Sequence, residues 1–365
     1  MDLRSILRTM VQNEASDLHL KIGAPPTVRL HGELVALDHA ALTADDITGA
    51  LSELLNDEQR QRFNATREID VAVGVRQMGR FRVNVGIQRG TPTLTLRAIP
   101  IDVKTLEALM LPPVVGELAL QHRGLVLVTG ITGSGKTTTL AAMIDHINAH
   151  RRAKIVTIED PIEFLLRDNQ SFIIQREVGV DTEDFHTGLR HVLRQDPDVL
   201  MVGEIRDRET MDTAIKAANT GHLVFATLHT TDAVQTVQRI LSFFSPHQHG
   251  EVRSLLAENL KGVISLRLIV RADGKGRVPA CEVMVTSESI REHLNDAGPP
   301  STLAQHITEG GVQYGMQSFD QSLMGLYQQG RITENEALAN ATNPAEFRLK
   351  LRGIESSSDR TWGTR

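Results

Sequence analysis

The stretch Leu125–Ile144, "LVLVTGITGSGKTTTLAAMI", reads as a hydrophobic strand, a glycine-rich loop and a helix. The segment Gly130-Ile131-Thr132-Gly133-Ser134-Gly135-Lys136-Thr137 matches G-x-x-x-x-G-K-[ST] at every fixed position. Leu140, Met143, Ile144 and Ile147 share one face of the helix that follows. Gly130, Gly133 and Gly135 let backbone N–H groups turn inward towards phosphate, and the helix N-terminus adds partial positive charge. Thr132, Ser134 and Thr138 complete the cradle. Lys136 is expected to reach the β- and γ-phosphates of ATP, and the Thr137 hydroxyl to bind Mg²⁺. The plain alternative is a chance glycine turn; strand, motif and helix in one line weigh against it.

Outward from this loop, "KIVTIED", "SFIIQ", "DVLMVGE" and "HLVFATLH" are short, β-branched-rich and nearly continuous in apolar character. They fit strands buried on both faces of a mainly parallel α/β sheet. After Thr231 the chain reads as mostly helical, with one hairpin-like pair turning at Asp273-Gly274-Lys275-Gly276. Residues 1–100 have another texture. "DLHLKI", "TVRLHGELVAL", "EIDVAVGV", "GRFRVNVGIQRG" and "TPTLTLRAIP" alternate apolar and polar, and "TADDITGALSELLNDEQRQRF" opens on Thr43 as one amphipathic helix. A small α+β domain over 1–100, a linker over 101–113, a P-loop domain over 114–355 and a mobile tail over 356–365 follow from this. Trp362, in the tail, is expected at the surface or at a contact.

Acids stand at two predicted strand ends. "IVTIEDPIEF" carries Glu159, Asp160 and Glu163, and Pro161 forces the chain out of the strand beside them. Ligands of open α/β sheets bind at such C-terminal strand ends. A merely solvated acidic loop is the alternative. The strand Val199–Val202 ends in Gly203-Glu204, where a longer acid would touch Mg²⁺ through water; a surface pair with Arg206 or Arg208 is the bland reading. His222 begins, and His229 ends, the next buried strand. A histidine beside a phosphate site can sense the γ-phosphate, although a lone histidine is more often structural. His146/His150 and His247/His249 read as surface pairs, not metal sites.

The chain has 365 residues, 41% hydrophobic and 23% charged, with net charge -6, so two sizeable cores are possible and no basic stripe marks a duplex-binding protein. Aromatics at 4% argue against a stacking platform for single strands. Cys281, the single cysteine, reads as a buried small hydrophobe, which excludes an intrachain disulfide and a cysteine zinc site. With so little cysteine the cytosol is the expected compartment, and since no signal-peptide pattern and no apolar run of membrane-spanning length is present, any membrane is expected to be reached through a partner.

"GITGSGKTTT", "TIEDPIEF", "RQDPDVLMVGEIRD" and "TGHLVFATLHT", in that order, resemble the four boxes of the type II/IV secretion ATPases: phosphate loop, Asp box, acidic strand and His box. The chain is similar in particular to the PilT family, the ATPases that retract type IV pili. "ASDLHLKIGAPPTVRLHGEL", "LPPVVGELALQHRGLVLVTG", "QREVGVDTEDF" and "YGMQSFDQSL" extend the likeness over nearly the whole chain. The resemblance implies a PAS-like N-terminal domain, a RecA-like ATPase domain and a homohexamer acting on a PilC-like platform protein of the inner membrane; the charge and aromatic content argue against a nucleic-acid partner. It implies Glu163 as general base, Glu204 as the acid of the metal shell and His229 as the γ-phosphate contact. Arg80, Arg82 and Arg97 match the first-domain arginines that the family places near the nucleotide; on edge strands such arginines are simply solvated.

Two departures bear on subtype. The longer N-terminal region and four-cysteine zinc site common in extension ATPases are missing, which favours retraction. "SIREHL" keeps only Ile290, Arg291 and Leu294 of the "AIRNLI"-like helix of retraction members. "GKGRVPACEV", "QSFDQSLMGLYQQGRIT" and "NPAEFRLKLRGI" look at least as much like the accessory PilU type, which would work beside a second retraction ATPase. A pilus or secretion assembly ATPase, a nucleic-acid motor and a non-hydrolysing nucleotide switch are the rival classes.

Overall fold

Alternation with period two decides the first half of the chain. The computed structural model describes residues 1–353 other than Glu14, His31, Gln77 and Ile101. The expected tail 356–365, with Trp362, lies outside the described residues. The chain folds as two compact units, the first being Met1–Asp102 with Glu163–Leu165, the second starting at Val103.

In the first unit, β1 (Asp17–Lys21), β2 (Thr27–Leu30), β3 (Glu33–Ala36), β4 (Ile69–Val75), β5 (Gly79–Gln88) and β6 (Thr91–Ile99) form one sheet in the order β3-β2-β1-β6-β5-β4. Every pairing is antiparallel. Leu18, Leu96, Val83 and Val71 stand in one row across four strands, and all are buried. They share a core with Leu7 and Met10 of α1 (Leu3–Gln12), Ile47 and Ala50 of α2 (Ala44–Leu54) and Phe63 of α3 (Asp57–Thr66). The helix expected to run on from Thr43 is therefore two. Leu55 is extended, and Asn56 starts α3 with its own capping box to Gln59. That box satisfies the new helix's first N–H groups, so the break costs little.

In the second unit, β7 (Gly124–Thr129), β8 (Lys154–Glu159), β9 (Phe172–Glu177), β10 (Val199–Val202), β11 (Leu223–Leu228), β12 (Leu260–Val270) and β13 (Arg277–Val285) lie in the order β13-β12-β7-β11-β10-β8-β9. All neighbours are parallel except β12 and β13, which form the expected hairpin. Taken in chain order, β7, β8, β10, β11 and β12 lie as 5-1-4-3-2, the RecA-like layout that the resemblance implies, and β9 adds a further parallel strand at the edge beside β8. β7, β10 and β11 are buried along their whole length, as their unbroken apolar runs require.

Helices cover both faces. α4 (Val114–Ala119) and α5 (Lys136–His150) pack on one face with Val126, Val128 and Phe225. Leu140, Met143, Ile144 and Ile147 of α5 are all buried there, each adding roughly 1.5–3 kcal/mol. Leu106 and Leu111, from the segment expected as a linker, belong to this same core. α6 (Phe185–Val192), α7 (Arg208–Asn219), α8 (Ala233–Ser242), α9 (His249–Asn259), α10 (Glu288–Asp296) and α11 (Pro300–Glu309) supply the opposite face. After α12 (Gly311–Tyr314), α13 (Phe319–Gln328), α14 (Glu334–Asn340) and α15 (Pro344–Leu351) close on Ile269, Val278 and Ala280 of the hairpin. Cys281 is buried in the sheet, and burial pushes its thiol up to about 12, so it packs as a small hydrophobe.

Glu282 on β13 is an acid within this hairpin. Its Oε1 accepts the Ala233 N–H at 2.8 Å. Burial pushes its carboxyl up to about 7; Asp232 and Asp320 add to the rise, and the Ala233 N–H and Arg267 oppose it. A folded pKa above the unfolded value of 4.5 means that stability falls as pH rises from there to about 7. Glu282→Gln should remove roughly 3 kcal/mol of this pH dependence. Melting temperatures of nucleotide-free protein at pH 5 and pH 8 check it: wild type should lose more than the variant.

Candidate functional site

Parallel strands end on one edge, and in the second unit the sequence loads that edge. β7 runs into the phosphate loop, β11 into His229, β10 into Glu204 and β8 into Glu159 and Asp160. β11 lies between β7 and β10, so His229 follows the strand that separates the loop's strand from that of Glu204.

The loop has the shape that its glycines predict. Gly130 has φ +143, and a Cβ there would meet Ser134 Oγ at 2.4 Å and the Leu266 carbonyl oxygen at 2.6 Å. Gly133 and Gly135 also take positive φ. α6, α7 and α8 are each capped by an aspartate side chain, whereas α5 starts from Gly135 with no side-chain cap. Its first N–H groups are thereby kept for another acceptor. Lys136 is buried, with Nζ donating to the carbonyl oxygens of Gly130 at 2.8 Å and Ile131 at 3.0 Å. Ser134 Oγ is buried without a hydrogen-bond partner among the described residues. A buried cation on carbonyls, an orphaned hydroxyl and an uncapped helix fit a polyphosphate. Beside them, a cavity of about 290 Å³ is lined by Met110, Gly135, Thr138, Leu268, Arg271 and Arg277. Its apolar walls suit a nucleoside next to the loop.

Glu204 is largely buried and meets two basic groups. Arg206 donates to its Oε1, and His229 Nε2 lies 3.3 Å from its Oε2. Burial pushes the Glu204 carboxyl up, but Arg206 and then His229 outweigh it and hold the group below its ordinary value. The surface-pair reading thus named the right partner, Arg206, while the carboxylate itself is only 15% exposed. The Thr227 hydroxyl donates to the Gly203 carbonyl at 2.6 Å and fixes the two strand ends against each other. Among the described residues no three His, Cys, Asp or Glu side chains form a metal cage. Thr137 and Glu204 supply oxygens of the kind that Mg²⁺ takes together with water and substrate phosphates.

The other candidates fall in different places. Glu159 is buried, and its Oε1 accepts from Thr157 Oγ1 at 2.6 Å and Gln175 Nε2 at 3.0 Å, so it anchors the end of β8. Asp160 is exposed, precedes a cis bond to Pro161 and adds its field to Arg206. Glu163 is exposed and groups with the first unit. His222 is a correction. It precedes β11, at the edge opposite the phosphate loop, and its Nδ1 lies 3.0 Å from the Ala217 carbonyl oxygen. A six-residue strand separates it from His229, roughly 20 Å at the usual rise.

Arg80, Arg82 and Arg97 lie on β5 and β6, which are inner strands, not edges. Arg82 and Arg97 are cross-strand partners on the face opposite the helices. Arg97 Nε donates to Asp17 Oδ1 at 2.8 Å, and Arg82 Nε lies 4.0 Å from Asp70 Oδ1. These four side chains, with Asn84 and Thr95, line a pocket of about 340 Å³. Burial pushes the Asp17 carboxyl up, but Ser16 and Arg97 outweigh it and hold it below its ordinary value.

Sequence reasoning did not pick out Met110, Leu268, Arg271 or Arg277 beside the loop, nor Thr227 at the strand end. Of these, Thr227 stood within the His box, one residue before the end of β11, and Arg277 within the quoted segment "GKGRVPACEV".

Replacing Arg206 by alanine removes the larger of Glu204's two counter-charges. Its carboxyl pKa should rise, so its charge is lost at higher pH on acidification. The acidic limb of nucleotide hydrolysis against pH should move to higher pH in Arg206→Ala, as steady-state rates from pH 4.5 to 8 would reveal.

Comparison with known proteins agrees with this geometry. A family described as "Type II/IV secretion system protein" matches residues 55–355. The type IV pilus ATPase PilU of Pseudomonas aeruginosa is 40% identical over 98% of this chain and 94% of its own length. The retraction ATPase PilT of the same organism is 41% identical over 95% of this chain and all of its own. A crystal structure of the pilus retraction motor PilT with bound ADP superposes with a TM-score of 0.87, at 41% identity, covering 95% of this chain and 98% of that one. The chain therefore belongs to the type II/IV secretion system protein family.

Proposed function

We propose that this chain is an ATP-hydrolysing motor of type IV pilus retraction, working as a homohexamer on a platform protein of the inner membrane. The observation that carries the reading is the Glu204–His229 pair at the edge where the phosphate loop also ends. A loop that only stored nucleotide would have no use for a carboxylate held ionised beside a histidine.

The roles follow from the chemistry of each group. Lys136 exchanges the Gly130 and Ile131 carbonyls for β- and γ-phosphate oxygens. Thr137 and Glu204 hold the metal shell, and Mg²⁺, when bound, neutralises charge on those phosphates. His229 contacts the γ-phosphate, so its bond to Glu204 is sensitive to cleavage. Glu163 takes the proton of the attacking water. Arg80, Arg82 and Arg97 of a neighbouring chain face the developing charge. The chain lies at the inner membrane through its partner; no described helix is long and apolar enough to cross a membrane. The accessory form of the activity, beside a second retraction ATPase, is supported equally by the likeness to PilU.

Lys136→Ala and Glu204→Ala should each abolish steady-state ATP turnover; wild-type rates in both would refute the site. Sharing across subunits has its own check. Arg82→Ala and Lys136→Ala proteins should regain activity when mixed, because some interfaces then hold one intact loop and one intact arginine. In the host, deletion should leave cells with excess pili that do not retract, and bald cells would point to extension.

A further inference from the structure

Glu282, Ser265 and Thr129 stand in one cross-strand row on β13, β12 and β7, and Leu228 of β11 continues it. The Thr129 hydroxyl donates to Ser265 Oγ at 2.9 Å. The next residues along β7 and β11 are Gly130 of the phosphate loop and His229. A polar row thus runs at the level where both functional loops leave the sheet.

The segment from His229 to Ala233 is held at several points. Thr230 and Thr236 share a hydroxyl bond of 2.7 Å, and the Asp232 side chain accepts the Gln235 N–H at 2.7 Å, which caps α8. The helix therefore has its own cap. Yet the Ala233 N–H goes to Glu282, 49 residues on, in the strand beside the one tied to the phosphate loop. Asp232 and Asp320 raise the electrostatic cost of a carboxylate here, and Arg267 only partly offsets it. Asp232 caps the Gln235 N–H only, so the N–H of the buried Ala233 relies on Glu282 for its acceptor.

We propose that Glu282 is a positioning residue for hydrolysis: by accepting the Ala233 N–H it fixes the first turn of α8 and so sets where His229 stands against Glu204. The inference rests on the reading of His229 as the γ-phosphate contact. Glu282 touches neither nucleotide nor metal, and acts on turnover only through the His229–Asp232 loop. Glutamine can accept the same N–H; alanine and methionine cannot.

The test is a double-mutant cycle on the full chain, with kcat and KM for MgATP as readouts. Glu282→Ala should lower kcat about tenfold or more with KM within about twofold, and Glu282→Gln should recover kcat to within about threefold of wild type. In a His229→Ala background, Glu282→Ala should change kcat by less than about twofold, because the two act in one line. Glu282→Met, which fills the volume without an acceptor, repeats the test should the alanine variant fail to fold. Wild-type kcat in Glu282→Ala or Glu282→Met would overturn the inference. So would a full-sized loss in the His229→Ala background, or a glutamine variant no better than alanine. An unchanged kcat in His229→Ala alone would instead remove the reading of His229, and this inference with it.

Discussion

A buried ammonium group must have oxygen around it, and Lys136 shows what that demands of the fold. It draws on two carbonyls of its own loop, Gly130 and Ile131. Carbonyl dipoles satisfy hydrogen bonds but carry no net charge, so a phosphate oxygen is a stronger partner for the ammonium than either of them. The positive φ values of Gly130, Gly133 and Gly135 and the uncapped start of α5 all serve this one charge. The buried face of α5 matters for the same reason, because Leu140, Met143, Ile144 and Ile147 fix where the lysine begins.

The sheet then decides which other groups stand at the same edge. In a parallel sheet the chain leaves every strand at the same edge, so neighbouring strands deliver their next residues together. That is why Glu204 and His229 meet although 25 residues separate them. Electrostatics finishes the selection. Burial alone would push Glu204 towards the neutral acid; Arg206 and His229 reverse that. The same comparison for Glu282 comes out the other way, since burial dominates, two acids add to it, and the Ala233 N–H and Arg267 are too weak a counterweight.

Much of this was legible in the sequence, for identifiable reasons. The phosphate loop, the strand Val199–Val202 and the buried face of α5 were readable because each is local: periodicity and a fixed motif lie within a few residues. The order of motifs likewise carried the RecA-like sheet. What escaped was set by distance or by competition. The break at Leu55 depends on Asn56 and Gln59 prevailing over a continuous apolar stripe, which periodicity alone hides. His222 looked equivalent to His229 because both flank one strand, yet a strand has two ends and only one meets the loop. Glu282 carried no local signal, since its partner is 49 residues away and its neighbours read as an ordinary buried strand.

The first unit shows why its arginine face is as well defined as its core. The row Leu18–Leu96–Val83–Val71 is buried, and one residue along, Asp17–Arg97–Arg82–Ala72 faces the other way. A slip of one residue on β5 or β6 would place a guanidinium in that core and expose a valine or leucine. The cost of burying an unpaired charge exceeds anything a surface ion pair returns, so the apolar row, not the ion pairs, fixes the register. The contacts from Asp17 to Arg97 and from Asp70 to Arg82 then need only orient side chains whose positions are already set. Arg97 is held by a hydrogen bond through Nε and Arg82 by charge alone at 4.0 Å, while Ser16 and Arg97 keep the carboxylate of Asp17 charged. Positive charge is thereby held in place on the face that the apolar row leaves outward.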